Sequence, residues 1–222
     1  MSGVVAIRRL AVCNWAMDSV PGYHGGYLRV DLTDRTSRRI EWPDGVLRRF
    51  IGGAGLGAWG LGHETAGVID PLAAESPLVF VFSPLVGSPL TTSAKFAVLA
   101  KSPLTGRIND SLSSSHFAIA GKRSGHDAIV IVGKARQPTM LVVTPEGVRF
   151  ESAESEWGLG SREASRRVQQ RLGDDGFQFA LWDHCLCGGG PRGRRLILAS
   201  HLHVPLNSEM CSGAGGVCDF SH

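Results

Sequence analysis

The sequence predicts an α+β domain made largely of antiparallel β-sheets with a few helices. Short apolar runs of strand length recur along the chain: PLVFVF at 77–82, KFAVLA from Lys95 to Ala100, and DAIVIV at 127–132. Helical patterns interrupt these runs irregularly, whereas a steady strand–helix alternation would point to a parallel sheet. The 29 glycines among 222 residues are nearly twice the usual share of ~7%. Without a repeat period, that excess implies many tight turns and close backbone approaches.

Residues 1–21 show no sustained period and read as an N-terminal extension, with one domain following over 22–222. YLRVDL and SRRIEW read as a hairpin around Thr33-Asp34-Arg35-Thr36, with Asp34 making the local side-chain bond. Asp44 is placed to cap a short helix in which Leu47, Phe50 and Ile51 share one face. That helix is expected to end at Gly52-Gly53, and a second apolar stretch runs from Leu56 to Leu61.

PLVFVF and DAIVIV read as strands buried on both faces, because they are continuously apolar rather than alternating. Lys95 to Ala100 is a further strand. It is followed by the breaker pair Ser102-Pro103, by Gly106, and by a serine-rich loop from Ser111 to Ser115. His116 to Lys122 gives one or two helical turns, and Thr139–Val143 with Val148–Phe150 gives a hairpin. From Ser161 a helix carries Ala164, Val168 and Leu172 on one face and ends at Gly173. Phe177–Leu181 and Leu196–Ala199 are strand candidates.

Composition bounds the function classes. A net charge of +3 is mild, so nucleic acid would have to be met by clustered arginines. The clusters at 35–39, 162–171 and 192–195 read first as solvated faces. No run of about 18 apolar residues occurs, which excludes a membrane-spanning helix. Asp18 and the want of a small-residue cleavage site argue against a secretory signal and for the cytoplasm. Five cysteines do not make a disulfide scaffold in a chain of this size.

Gly53-Ala54-Gly55-Leu56-Gly57 lacks both the preceding strand and the G-x-G-x-x-G spacing of a dinucleotide loop. His184, Cys185, Cys187, Cys211 and Cys218 have C-x-C and C-x₆-C spacings, which match no paired C-x₂-C metal site. Lys95, Lys101 and the serines of 111–115 are the better set. Ammonium groups beside hydroxyls and free amides suit a phosphate or another anionic group.

The order of motifs GYLRVDL, FIGGAGLGAW, VIDPLAAESPLVFVFSPLVG, AKFAVLAKSPLTG and GHDAIVIVGKA resembles the N-terminal, tungstopterin-binding domain of the aldehyde ferredoxin oxidoreductase family, over roughly Gly25 to Val217. The resemblance implies β-sheets forming a saddle under a bis-pterin cofactor that holds tungsten or molybdenum. It implies oxidation of an aldehyde to a carboxylic acid, with electrons passing through a 4Fe-4S cluster to ferredoxin. Lys95 corresponds to the family's pterin-contacting arginine, keeping the charge and losing the bidentate fork. Leu112-Ser113-Ser114-Ser115 stands where the family has Asn-Ser-Gly-Gly against the pterin, which makes Ser113 and Ser114 cofactor-binding candidates. Gly213, Gly215 and Gly216 match the later glycine run but lack its arginine, and Ala54 replaces another.

The last ~40 residues diverge from the family pattern. Gly190-Pro191-Arg192-Gly193 follows a Cys/His/Gly stretch at 182–189 of the kind a local frameshift produces. Family members continue beyond the point that corresponds to His222, and none of the five cysteines falls in the cluster motif. The resemblance therefore implies a truncated oxidoreductase domain, inactive alone. A rival reading is a stand-alone non-redox domain. It would either partner a separately encoded C-terminal half or reuse the cofactor cavity for another small molecule. Under the family resemblance the expected protein partner is a C-terminal half or a second copy in a homodimer. A nucleic-acid-binding module is the third reading and requires steeply salt-dependent binding.

Overall fold

The computed structural model describes residues 3–7, 21–65, 69–172, 178–183 and 217–218. Its elements in chain order are β1 (Gly3–Ile7), β2 (Gly26–Asp31), β3 (Thr36–Glu41), α1 (Val46–Phe50), α2 (Gly53–Thr65), β4 (Leu78–Phe82), β5 (Lys95–Lys101), β6 (Ile108–Ser114), α3 (His116–Arg123), β7 (Ala128–Val132), β8 (Thr139–Thr144), β9 (Gly147–Ser152), α4 (Ser161–Leu172), β10 (Gln178–Asp183) and β11 (Val217–Cys218). They form a six-stranded sheet, β3-β2-β7-β4-β5-β6, and a five-stranded sheet, β11-β10-β1-β8-β9. Within them only β2–β7 and β1–β8 are parallel. The α+β class and the largely antiparallel sheets are as the sequence predicts.

The continuous apolar runs are explained by layering. In β4, Val79 and Val81 face a layer formed with Leu56 and Leu61 of α2, while Phe80 and Phe82 face the other sheet. Strand β7 divides in the same way, Ala128, Val130 and Val132 toward α2 and Ile129 and Ile131 toward Leu141 and Val143 of β8. The outer face of the second sheet packs Met140 and Val142 against Ala164 and Val168 of α4. Phe117 of α3 inserts between the sheets, with ring centroids 6.2 Å from Phe80, 6.1 Å from Phe82 and 5.1 Å from Phe96. Each such ring contributes about 1.5–3 kcal/mol through burial alone.

Several local expectations are corrected. Ser111–Ser114 is not a loop but the second half of β6, in register with β5 from Lys95↔Ser114 to Lys101↔Ile108. The ladder offered by β5 outweighs the turn-like composition of the serines. Only Ser115 keeps a loop role, its hydroxyl accepting from Phe117 N as the cap of α3. In the β2–β3 turn the local acceptor is Asp31, whose Oδ1 takes the amides of Thr33 and Asp34. Asp44 does not cap α1, where Gly45 in a left-handed conformation is the cap residue. Gly53 to Gly57 lie inside the first turns of α2. Gly57 is there because Leu99 packs on it so closely that an added Cβ would stand 2.2 Å from Leu99 Cδ1. Within the expected N-terminal extension, Gly3–Ile7 pairs between β8 and β10.

Candidate functional site

The six-stranded sheet brings the chemistry of the chain to one end. The start of β2, the start of β7, the end of β4, the start of β5 and the end of β6 lie there side by side, because Tyr27 pairs with Ala128, Val81 with Ala128, Phe82 with Phe96, and Lys95 with Ser114. Lys95 Nζ donates to Ser114 Oγ at 2.9 Å on the exposed rim. Among the described residues Lys95 makes no ion pair, so its charge faces solvent uncompensated. Ser113, the neighbouring candidate, points to the opposite face of the sheet by the two-residue period of a strand. It lies opposite Phe96, and its Oγ is buried with no hydrogen-bond partner.

Lys101 does not belong to this group. It ends β5 six residues away, about 20 Å along the strand, and its Nζ donates to Ile69 O. Gly213, Gly215 and Gly216 lie outside the described residues, as do Cys13, Cys185, Cys187, Cys211 and the Leu196–Ala199 strand candidate. Among the described residues no cluster of His, Cys, Asp and Glu could hold a metal ion.

Behind the rim stands a polar hub that the sequence reading missed. Asp127, fully buried just before β7, accepts from His24 N and Gly25 N at 2.9 Å each and from Lys122 Nζ at 2.5 Å. Its own amide donates to Gly26 O, and its carbonyl accepts from Phe82 N. Arg39 donates to the carbonyls of His24 and Gly125. Lys122 Nζ lies 5.5 Å from the centre of the Tyr23 ring, and the Tyr23 hydroxyl donates to Ile51 O at 2.5 Å.

Electrostatics in the hub follow burial. Desolvation, followed by the Lys122 charge, lowers the pKa of His24. Desolvation, helped by Arg39, brings His126 down to about 4. Both imidazoles are therefore neutral at pH 7. A signal was present in the sequence, an acidic residue directly preceding an all-apolar strand, but its partners lie up to 103 residues away.

The hub anchors a strained turn. Ile51 has φ 58° and ψ −73°, and Gly52 N donates to Phe50 O at 2.7 Å, a γ-turn of the rare positive-φ kind. The β-branched residue is 63% exposed rather than part of the buried α1 stripe the sequence predicts. Pro84 closes the same end, pressed against Gly22 and Gly52.

A family profile, aldehyde ferredoxin oxidoreductase, N-terminal domain, matches residues 27–218. The chain belongs to this family. A tungsten-containing aldehyde ferredoxin oxidoreductase of Pyrococcus abyssi is 33% identical over 196 residues, 88% of this chain and 31% of the relative. The aliphatic sulfonate oxidoreductase, WOR-like subunit, of Pyrococcus furiosus is 31% identical over 156 residues, 69% of this chain and 25% of the relative. Among solved structures, the active site complex BamBC of benzoyl coenzyme A reductase in complex with 1,5 dienoyl-CoA matches with a TM-score of 0.68 at 26% identity. That match covers 72% of this chain and 24% of the other. The chain thus spans about a third or less of the length of these family relatives, and the region it matches is their N-terminal domain. Among the described residues no helix is long and apolar enough to cross a membrane.

Proposed function

We propose that this chain is the cofactor-cradling domain of a tungsten- or molybdenum-pterin oxidoreductase, and that the rim at Lys95 and Ser114 holds an anionic part of that cofactor. The observation that carries the reading is the uncompensated Lys95 ammonium beside the Ser114 hydroxyl, at the position the family resemblance assigns to a pterin-contacting cation. The residues present fit such a group. An ammonium and a hydroxyl suit a phosphate oxygen, whereas Ser113 faces the opposite side of the sheet and takes no part in this group.

When bound, the metal centre would supply the two-electron oxidation of an aldehyde and water to a carboxylic acid. The electrons would leave through a 4Fe-4S cluster to ferredoxin. In this reading Lys95 and Ser114 bind and orient, while the Asp127 hub holds the loops at 21–25 and 51–53 against the rim. Catalytic residues, the cluster ligands and the electron exit would come from a C-terminal part, joined or separate. The domain by itself is expected to show no ferredoxin- or viologen-linked aldehyde oxidation. The test is production of the full chain in a host that makes tungstopterin, followed by elemental analysis for tungsten and molybdenum and by pterin extraction. Bound metal and pterin that fall sharply in Lys95→Glu support the proposal. Their absence from the unmutated chain, or a content unchanged in Lys95→Glu, would overturn it.

A second reading, a domain that works as the partner of a separately encoded half, is favoured by the exposed Leu104, Ile108 and Leu112 on and beside β6. Apolar side chains at 48–66% exposure mark a surface suited to burial against another protein. Binding of the matching C-terminal part added in trans would support this reading.

A further inference from the structure

Three aromatic rings from separate parts of the chain form an unbroken row from the core to the surface. Tyr27 of β2 lies 4.6 Å from Trp42, and Trp42 lies 5.7 Å from Trp59 of α2, centroid to centroid. His63 stacks on Trp59 at 4.6 Å. Tyr27 and Trp42 are buried, Trp59 is half-buried and His63 is exposed. The polar atoms of the row differ in their surroundings. The Tyr27 hydroxyl donates to Glu64 Oε1 at 2.7 Å, within the reach that proton transfer requires. Trp42 Nε1 is buried and finds no partner. Packing explains the ring contacts, but plain phenylalanines would pack without bringing a carboxylate to a buried phenol or leaving an indole N–H unmet.

We propose that Trp59, Trp42 and Tyr27 form a one-electron relay that carries an oxidising equivalent from the surface to Tyr27. An outer-sphere one-electron oxidant, such as a metal complex in its higher oxidation state, takes an electron from the Trp59 indole and is itself reduced by one electron. Trp42 then reduces Trp59, and Tyr27 reduces Trp42, one electron each. As the last electron leaves, the phenolic O–H bond of Tyr27 breaks and its proton forms an O–H bond at Glu64 Oε1. The net change is one electron to the oxidant, one proton to Glu64 and a neutral tyrosyl radical at Tyr27.

Each feature of the row has a part in this. With no acceptor at Nε1, an oxidised Trp42 keeps its proton, stays strongly oxidising and passes the deficit on. At Tyr27 the Glu64 carboxylate takes the proton, so the deficit comes to rest there. Burial and then the Glu64 hydrogen bond raise the Tyr27 pKa, so the phenol holds its proton until the electron leaves.

The test exposes the full chain to photogenerated tris(bipyridine)ruthenium(III) and reads radicals by freeze-quench electron paramagnetic resonance. The chain has two tyrosines, so a Tyr23→Phe background assigns any tyrosyl signal. The expected result is a tyrosyl radical in the Tyr23→Phe background, where Tyr27 is the remaining tyrosine, that falls severalfold on adding Trp42→Phe. It should also form more slowly in deuterium oxide and in Glu64→Gln. Trp59→Phe, at a half-buried position, is the second variant should Trp42→Phe fail to fold, and its tyrosyl yield must fall too. No tyrosyl radical in the Tyr23→Phe background, or a yield indifferent to both tryptophan variants, would overturn the relay and leave a packing cluster.

Discussion

Lys122 Nζ donates to Asp127 Oδ1 at 2.5 Å, with the two side chains only 8% and 1% exposed. Breaking such a pair from one side strands a charge in a medium that solvates it poorly. Lys122→Met is therefore expected to cost about 3–5 kcal/mol, read as a lower urea midpoint. Lys122→Met with Asp127→Asn should cost less than the sum of the two single changes, because no unpaired charge remains.

Acid should weaken the same region through its histidines. His126 ordinarily titrates at 6.5 and is held at about 4 in the folded chain, chiefly by burial and then by Arg39. Between those values the unfolded chain binds a proton that the folded chain refuses, so stability falls as pH falls through that window. Below about pH 4 this group adds no further loss, and His24 acts in the same direction. His126→Gln is expected to flatten the profile of urea midpoint against pH over the window.

The same substitution should have opposite signs at two helical glycines. Gly62 in α2 is exposed with nothing within 4 Å of an added Cβ, so Gly62→Ala is expected to stabilise by about 0.5–1 kcal/mol. At Gly121 in α3 the added carbon would stand 2.1 Å from Phe82 Cζ. Gly121→Ala is expected to destabilise by about 1–3 kcal/mol through overpacking. Thermal unfolding of the two variants side by side checks both.

The exposed apolar face of β6 should govern solution behaviour. Leu112 is 66% exposed, and Leu112→Lys is expected to lower self-association on analytical ultracentrifugation while changing stability by no more than about 0.5 kcal/mol. A parent chain that is already monodisperse at high concentration would contradict this.

What the sequence made legible was whatever a short apolar window determines. PLVFVF and DAIVIV are strands because both of their faces are covered, and α4 begins at Ser161 with Ala164 and Val168 buried as their spacing predicts. What it hid was decided by partners far along the chain. The serines of β6 look like a loop until β5 supplies a ladder. Ile51 fits a buried stripe until its carbonyl is drawn to Tyr23, 28 residues back. For the candidate site, the pairing of Lys95 with Ser114 was within reach of sequence order, whereas the separation of Ser113 from them depended on knowing that the segment is extended. The Asp127 hub was out of reach because its donors come from residues 24, 25 and 122.

The seat of Pro84 has a consequence for where the chain tolerates change in length. Its carbonyl oxygen would lie 2.9 Å from a Cβ built on Gly22, and its Cδ 2.7 Å from one built on Gly52. The loops carrying residues 22, 52 and 84 therefore lock one another in place, and an insertion in any of them would displace the other two. At the far end of the six-stranded sheet the exposed Thr33–Arg35 turn has a seat of its own. Thr33 Oγ1 accepts from Lys134 N at 3.0 Å and would lie 2.7 Å from a Cβ built on Gly133, and Arg35 donates to Phe150 O at 2.7 Å. A change of length there would disturb the contacts with Lys134 and Phe150, whereas a change in the loops around Pro84 would disturb the end that carries the rim at Lys95.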